Sequence, residues 1–159
     1  MTQANQQVIA ATDLPALGQP LLGGIFAARY WLNGQERALI LPTDEFEGAW
    51  GERGAEIPGA NSYSDGYANT VAMAEAGSEI AKKALALDLH IPSCLEGQLL
   101  MAAKAEGLVT LRHDRFHWLS TQYSANLAYT MGFEGGWLYN GTGKSLKRLV
   151  RPVRSRIIQ

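Results

Sequence analysis

The chain predicts an α+β domain, and three observations carry that expectation. A strong hairpin signal lies in the first third of the sequence. Helical apolar spacing fills the middle, and a series of short strands separated by glycine-rich turns closes the chain. The helices and strands are segregated along the sequence rather than alternating, which favours α+β over a doubly wound sheet.

The hairpin is the stretch "GGIFAARYWLNGQERALILP". Two apolar, β-branched and aromatic runs flank Asn33-Gly34, the residue pair that best tolerates the positive φ values of a type I′ turn. Residues 1–20 precede it. They are polar, then punctuated by proline and glycine, and read as an extended N-terminal arm ahead of a domain over 21–159. Such an arm is expected to dock on a partner such as a neighbouring subunit, because only new contacts offset the entropy of ordering it.

Residues 42–65 have no period and many turn formers, so they read as an irregular loop. Ser64 or Asp65 then caps a helix from Gly66 to about Leu87, with Val71, Met73, Ala76, Ile80, Ala84 and Leu87 at helical spacing. A second helix follows His90-Ile91-Pro92-Ser93. Ser93 and Glu96 have capping-box spacing, Leu99, Leu100 and Ala103 form the apolar face, and Gly107 ends it. Strands are expected at "LVTLR", "FHWLS", "LAYTMGF", "GWLYN" and "RLVRPVR".

Composition bounds the function. The chain has 159 residues, 47% of them hydrophobic and 18% charged, with a net charge of −1. That is one domain's worth of chain, long enough to bury roughly 70% of its unfolded surface. The charge balance gives no global pull toward nucleic acid or an anionic membrane. Cys94 is the single cysteine, so an intrachain disulfide and a thiolate metal cluster are both excluded. No apolar run reaches transmembrane length, and no basic segment followed by an apolar core marks a signal peptide.

Catalytic constellations are weak. His113 and His117 are four apart with Asp114 between them, but they straddle a strand boundary, and His90 is the only other imidazole. Ser120, His117 and Asp114 have triad residue types on one extended segment, where alternate side chains point to opposite faces. "GTGKS" at Gly141–Ser145 lacks the full phosphate-loop spacing and leads into a strand. No catalytic residue, cofactor or metal site is assigned. Past Glu134 there is no acidic residue, while Lys144, Lys147, Arg148, Arg151, Arg154 and Arg156 follow. Nucleic-acid binding is therefore one alternative, and pairing of these cations with carbonyls or acidic neighbours is the other.

The aromatics carry the best site candidate. Trp118, Tyr123, Tyr129 and Phe133 lie in or beside strands, where most would build a core. Trp137 and Tyr139 alternate on the strand after Gly135-Gly136 and share a face, with Asn140 and Thr142 at its tip. That face is either core or an aromatic recognition platform.

The motif W-x-S-T-x-Y-S at Trp118, Ser120, Tyr123 and Ser124, with Ala128-Tyr129, Phe133-x-x-Gly136 and the closing Val150-Arg151-Pro152-Val153-Arg154, resembles the Lcl-type C-terminal domain family. These are C-type-lectin-like domains of a bacterial collagen-like adhesin and of many phage and prophage proteins. The stretch from Ser62 to Leu100 is similar to the phage branch, with Glu96 where the family's glutamate falls. The resemblance covers about 95 residues. It implies a C-type-lectin-like fold, two helices flanking a twisted antiparallel sheet, with terminal strands near each other. It implies binding or display rather than catalysis, with Trp118 framing the ligand-facing loops and Trp137–Thr142 in the part that varies. The chain lacks the family's long insertion before the tryptophan strand, the calcium-binding tripeptides and any cysteine pair. A calcium-built sugar site is therefore not expected. The resemblance leads to the expectation of a non-enzymatic phage virion protein that decorates a capsid or tail or adheres to a host surface protein or glycan. Its N-terminal arm would hold other virion proteins, and it would form a homo-oligomer without membrane insertion. A stand-alone prophage or bacterial protein-binding module is the alternative.

Overall fold

Asn33 and Gly34 take φ values of 52° and 77°, the paired positive angles of a type I′ turn. They join two strands (Gly24–Leu32 and Gln35–Leu41) into the expected hairpin. The computed structural model describes residues 4–159 as three helices and two curled mixed sheets.

In chain order the strands are β1 (Val8–Ile9), β2 (Pro20–Leu21), β3 (Gly24–Leu32), β4 (Gln35–Leu41), β5 (Phe46–Ala49), β6 (His117–Gln122), β7 (Leu127–Gly132), β8 (Trp137–Gly143), β9 (Lys147–Val150) and β10 (Arg154–Ile158). The first sheet has the order β1-β10-β4-β3-β2 and the second β5-β9-β6-β7-β8. Each contains one parallel pair, β1 with β10 and β6 with β9, so neither sheet is purely antiparallel as expected. The helices are α1 (Gly66–Glu75), α2 (Glu79–Ala86) and α3 (Cys94–Ala105).

The single helix expected over Gly66–Leu87 is two helices. Gly77 has a φ of 97°, which ends α1. Ser78 then starts α2, accepting from Ala81 N–H while its own hydroxyl donates to Trp50 O at 2.7 Å. Apolar spacing ran on through the break because both helices cover the same core. At α3 the capping box between Ser93 and Glu96 forms as expected.

Three strand expectations need correction. "LVTLR" alternates as a strand would, with Val109 and Leu111 buried, but its backbone joins no ladder. "RLVRPVR" is split between the sheets, because Pro152 has no N–H to continue a ladder; β9 ends before it and β10 begins after it. The loop over 42–65 contains β5, which pairs with β9.

The segment expected to dock on a partner such as a neighbouring subunit is, over its described residues, docked on its own chain. Val8 and Ile9 pair with Ile157 and Ile158, and Arg37 donates to Asn5 O at 2.6 Å. Ile9, Leu14 and Leu21 pack on buried Phe26, Ala38 and Ile158. The boundary drawn at residue 20 falls inside β2. Between the sheets, α3 and β3–β4 meet β6–β7 in one core, including Tyr30, Leu39, Leu100, Leu119 and Met131. A second core joins Trp50, Met73, Ile80, Ile91, Trp118 and Val150 beneath α1 and α2.

Candidate functional site

β8 is an edge strand of the second sheet, and the aromatics on its first half face solvent. Trp137 is 76% exposed and Tyr139 51%. Phe116, 38% exposed, lies just before β6 with its ring centroid 6.5 Å from that of Tyr139. Beside them a cavity of about 520 Å³ is bordered by Trp137, Phe116, His113, Asp114, Arg115 and Glu134. The core alternative for Trp137 and Tyr139 is thus set aside; they form a surface platform.

The remaining two candidates separate. Ala128 pairs with Thr142 but Thr130 pairs with Tyr139, so β8 carries one extra residue at Asn140-Gly141. This bulge leaves Asn140 exposed and turns Thr142 inward, where its hydroxyl meets Thr130 Oγ1 at 3.0 Å. Thr142 is therefore core, and both residues belong to the strand rather than to a turn tip.

The motif residues are mostly structural. Trp118 is fully buried, its indole N–H donating to Gly48 O at 2.9 Å. Ser120 is buried against Asn69, whose Nδ2 lies 3.3 Å from the Ser120 hydroxyl. Phe133 is buried edge-on to His117. Tyr123 is 54% exposed rather than core, and stacks edge-on against half-buried Tyr129 at 5.8 Å.

The triad residue types do not converge. His117 is buried and meets Glu45 Oε1 at 2.9 Å, Asp114 pairs with Arg112, and Ser120 faces Asn69. Burial lowers the His117 pKa, a shift opposed by Glu45. Among the described residues, no three His, Cys, Asp or Glu side chains come together as metal ligands. Burial pushes the Cys94 thiol up to about 11, which makes it a poor nucleophile.

The basic C-terminal run is mostly consumed inside the fold. Lys144 is fully buried: its ammonium donates to Ala55 O and Gln122 Oε1, both at 2.8 Å, and lies 4.6 Å from the Trp50 ring centroid. Arg151 donates to Pro42 O at 2.9 Å, Arg154 to Leu22 O, and Arg156 reaches Asp88. Of the six, Lys147 is exposed, and the others are half-buried or buried.

Two features were missed in the sequence. One is a groove of about 500 Å³ between β5 and the α1–α2 turn, lined by Phe46, Trp50, Ile57, Met73 and Ile80. The other is a buried polar network at Glu96. His90 Nε2 and the Tyr30 hydroxyl meet Glu96 Oε2 at 2.9 and 2.8 Å, and Tyr30 and Arg37 both reach Ser155 Oγ. The capping spacing of Glu96 was a readable signal, but Tyr30, and through it Ser155, come from strands far away in sequence. Among the described residues no helix is long and apolar enough to cross a membrane. Comparison with protein-family models and with curated proteins finds no match to this chain.

Proposed function

We propose that this chain is a non-enzymatic, C-type-lectin-like module of a phage particle that works by docking through the aromatic edge of β8. One observation carries the docking reading: Trp137 and Tyr139 stand exposed on β8, whose outer side has no neighbouring strand among the described residues, while the buried polar clusters hold the fold together. Large exposed aromatics are the usual anchors of recognition surfaces, because they bring much contact area at small entropic cost.

Element order supports the fold assignment. The hairpin and the last strand share one sheet, β1 and β10 pair near the two ends of the chain, and the helices precede the second sheet. Virion placement rests on the family resemblance, with decoration, host adhesion or both as the task. The described part of the N-terminal segment is occupied by its own sheet, so contact with other virion proteins or a host surface protein or glycan falls to β8. A prophage or bacterial protein-binding module would use the same face. The nucleic-acid alternative is disfavoured by the internal engagement of Lys144, Arg151, Arg154 and Arg156.

Mass spectrometry of purified virions tests the placement. Adsorption to host cells or purified particles, with and without Trp137→Ala and Tyr139→Ala, tests the face. Absence from virions together with full adsorption by the double variant would sink both halves of the reading.

A further inference from the structure

Among the described residues the two sheets have four edge strands, three of them blunted, and the length of β3 that β2 leaves uncovered carries Arg29 and a bulge at Phe26–Ala28. β1 and β2 are two residues long, and β2 starts with Pro20. β5 is four residues long, carries Glu47, and has Ile80 packed so closely over Gly48 that an added Cβ would lie 2.6 Å from its methyl group. β8 has seven residues with no charge and no proline. A long neutral edge offers unpaired N–H and C=O groups to any compatible strand, and proteins ordinarily guard against it. Its one irregularity, the bulge at Asn140-Gly141, leaves Trp137, Leu138 and Tyr139 in unbroken register with β7.

We propose that the occupant of this edge is a second copy of this chain, paired antiparallel through Trp137–Tyr139 about a two-fold axis at Leu138. The proposal rests on β8 being the docking face and names its partner. The order Trp-Leu-Tyr is self-complementary about that axis. Trp137 falls opposite the partner subunit's Tyr139, and Tyr139 opposite the partner subunit's Trp137, which makes two cross-strand aromatic pairs on one face. Residues 135–143 contain no charge, so an isologous contact brings no like charges together, and a net charge of −1 adds little long-range repulsion. A foreign strand is the competing occupant. β8 itself supplies none of the charge that usually selects one, and the nearest charges, Asp114, Arg115 and Glu134, border the cavity beside Trp137 and are of mixed sign.

Sedimentation velocity of the full chain, from low micromolar to near-millimolar concentration, should show a monomer–dimer equilibrium. Trp137→Lys with Tyr139→Lys, both at exposed positions, should raise the dissociation constant about thirtyfold or more while leaving the melting temperature in place. Register is read by cross-linking. Directly opposed residues of an antiparallel pair have Cα atoms about 4.5–5.5 Å apart, within reach of a disulfide. Leu138→Cys should therefore oxidise to a covalent dimer, and Trp31→Cys, exposed on the other sheet, should not. A chain that stays monomeric throughout, or one that cross-links equally at both positions, overturns the proposal. If it stays monomeric while Trp137→Ala and Tyr139→Ala still abolish adsorption, homotypic pairing fails but the docking face stands. If adsorption is also unchanged, both fail.

Discussion

Glu96 Oε2 and His90 Nε2 lie 2.9 Å apart, with both side chains almost wholly removed from solvent. The same oxygen accepts from Tyr30, and Glu96 Oε1 accepts from Ser93 N–H at 3.0 Å, so one carboxylate caps α3 and ties it to β3. Burial by itself would raise the Glu96 pKa. His90, Ser93 and Tyr30 outweigh it and hold the carboxyl below the usual glutamate value.

Removing one member of a buried pair leaves the other without compensation. Glu96→Ala should cost about 3–5 kcal/mol in urea unfolding. Tyr30→Phe, which loses only a hydroxyl, should cost about 1–2 kcal/mol. Equal, small losses at both positions would mean that the network does not hold the fold.

Acid should destabilise the protein in two stages. His117 has a folded-state pKa below its unfolded value near ~6.5, so the unfolded chain takes up protons first and stability falls as pH drops below that value. Glu96, also depressed, contributes stability that is present above its unfolded pKa and is lost as pH falls through the folded one. His117→Gln should flatten the upper stage and leave the lower. A melting temperature that is constant from neutrality to pH ~4.5 in the wild type would contradict the assignment.

Lys144 is a structural pin in this fold. Lys144→Ala leaves Ala55 O without this donor and Gln122 Oε1 with only the Ile57 N–H, and should cost about 1–3 kcal/mol, while heparin retention at rising salt stays at the wild-type value. Unchanged stability with weakened retention would restore the nucleic-acid reading.

Deleting residues 1–18 removes β1, the carbonyl that Arg37 uses, and the Ile9 and Leu14 side chains that cover Phe26 and Ile158. Losing burial of even one such side chain costs about 1.5–3 kcal/mol. The truncated chain should therefore melt well below the full one, and coincident melts would make the segment incidental.

Trp118 and Trp137 should behave oppositely. Trp118→Ala opens the core under α1 and should cost about 3–5 kcal/mol. Trp137→Ala, at an exposed edge, should stay within about 0.5 kcal/mol of wild type by thermal melt. An early-melting Trp137→Ala variant would mean that this side chain holds the fold rather than a partner.

Local chemistry was legible in the sequence. Asn33-Gly34 dictates its turn, Ser93 and Glu96 their cap, and the apolar spacing the helical region, because each depends on residues a few positions apart. Even the alternation of Val109 and Leu111 was readable, although whether an extended segment joins a ladder depends on what lies beside it. The fate of the polar and aromatic residues was decided by tertiary structure. Lys144 sits beneath Trp50, Thr142 turns inward at a bulge, Glu96 meets a tyrosine 66 positions away, and Trp137 lands on an edge strand with 76% of its surface exposed. Burial and pairing arise between segments distant in sequence, so a pattern within one strand names the face a side chain shares. The opposing element determines whether that face is core or surface.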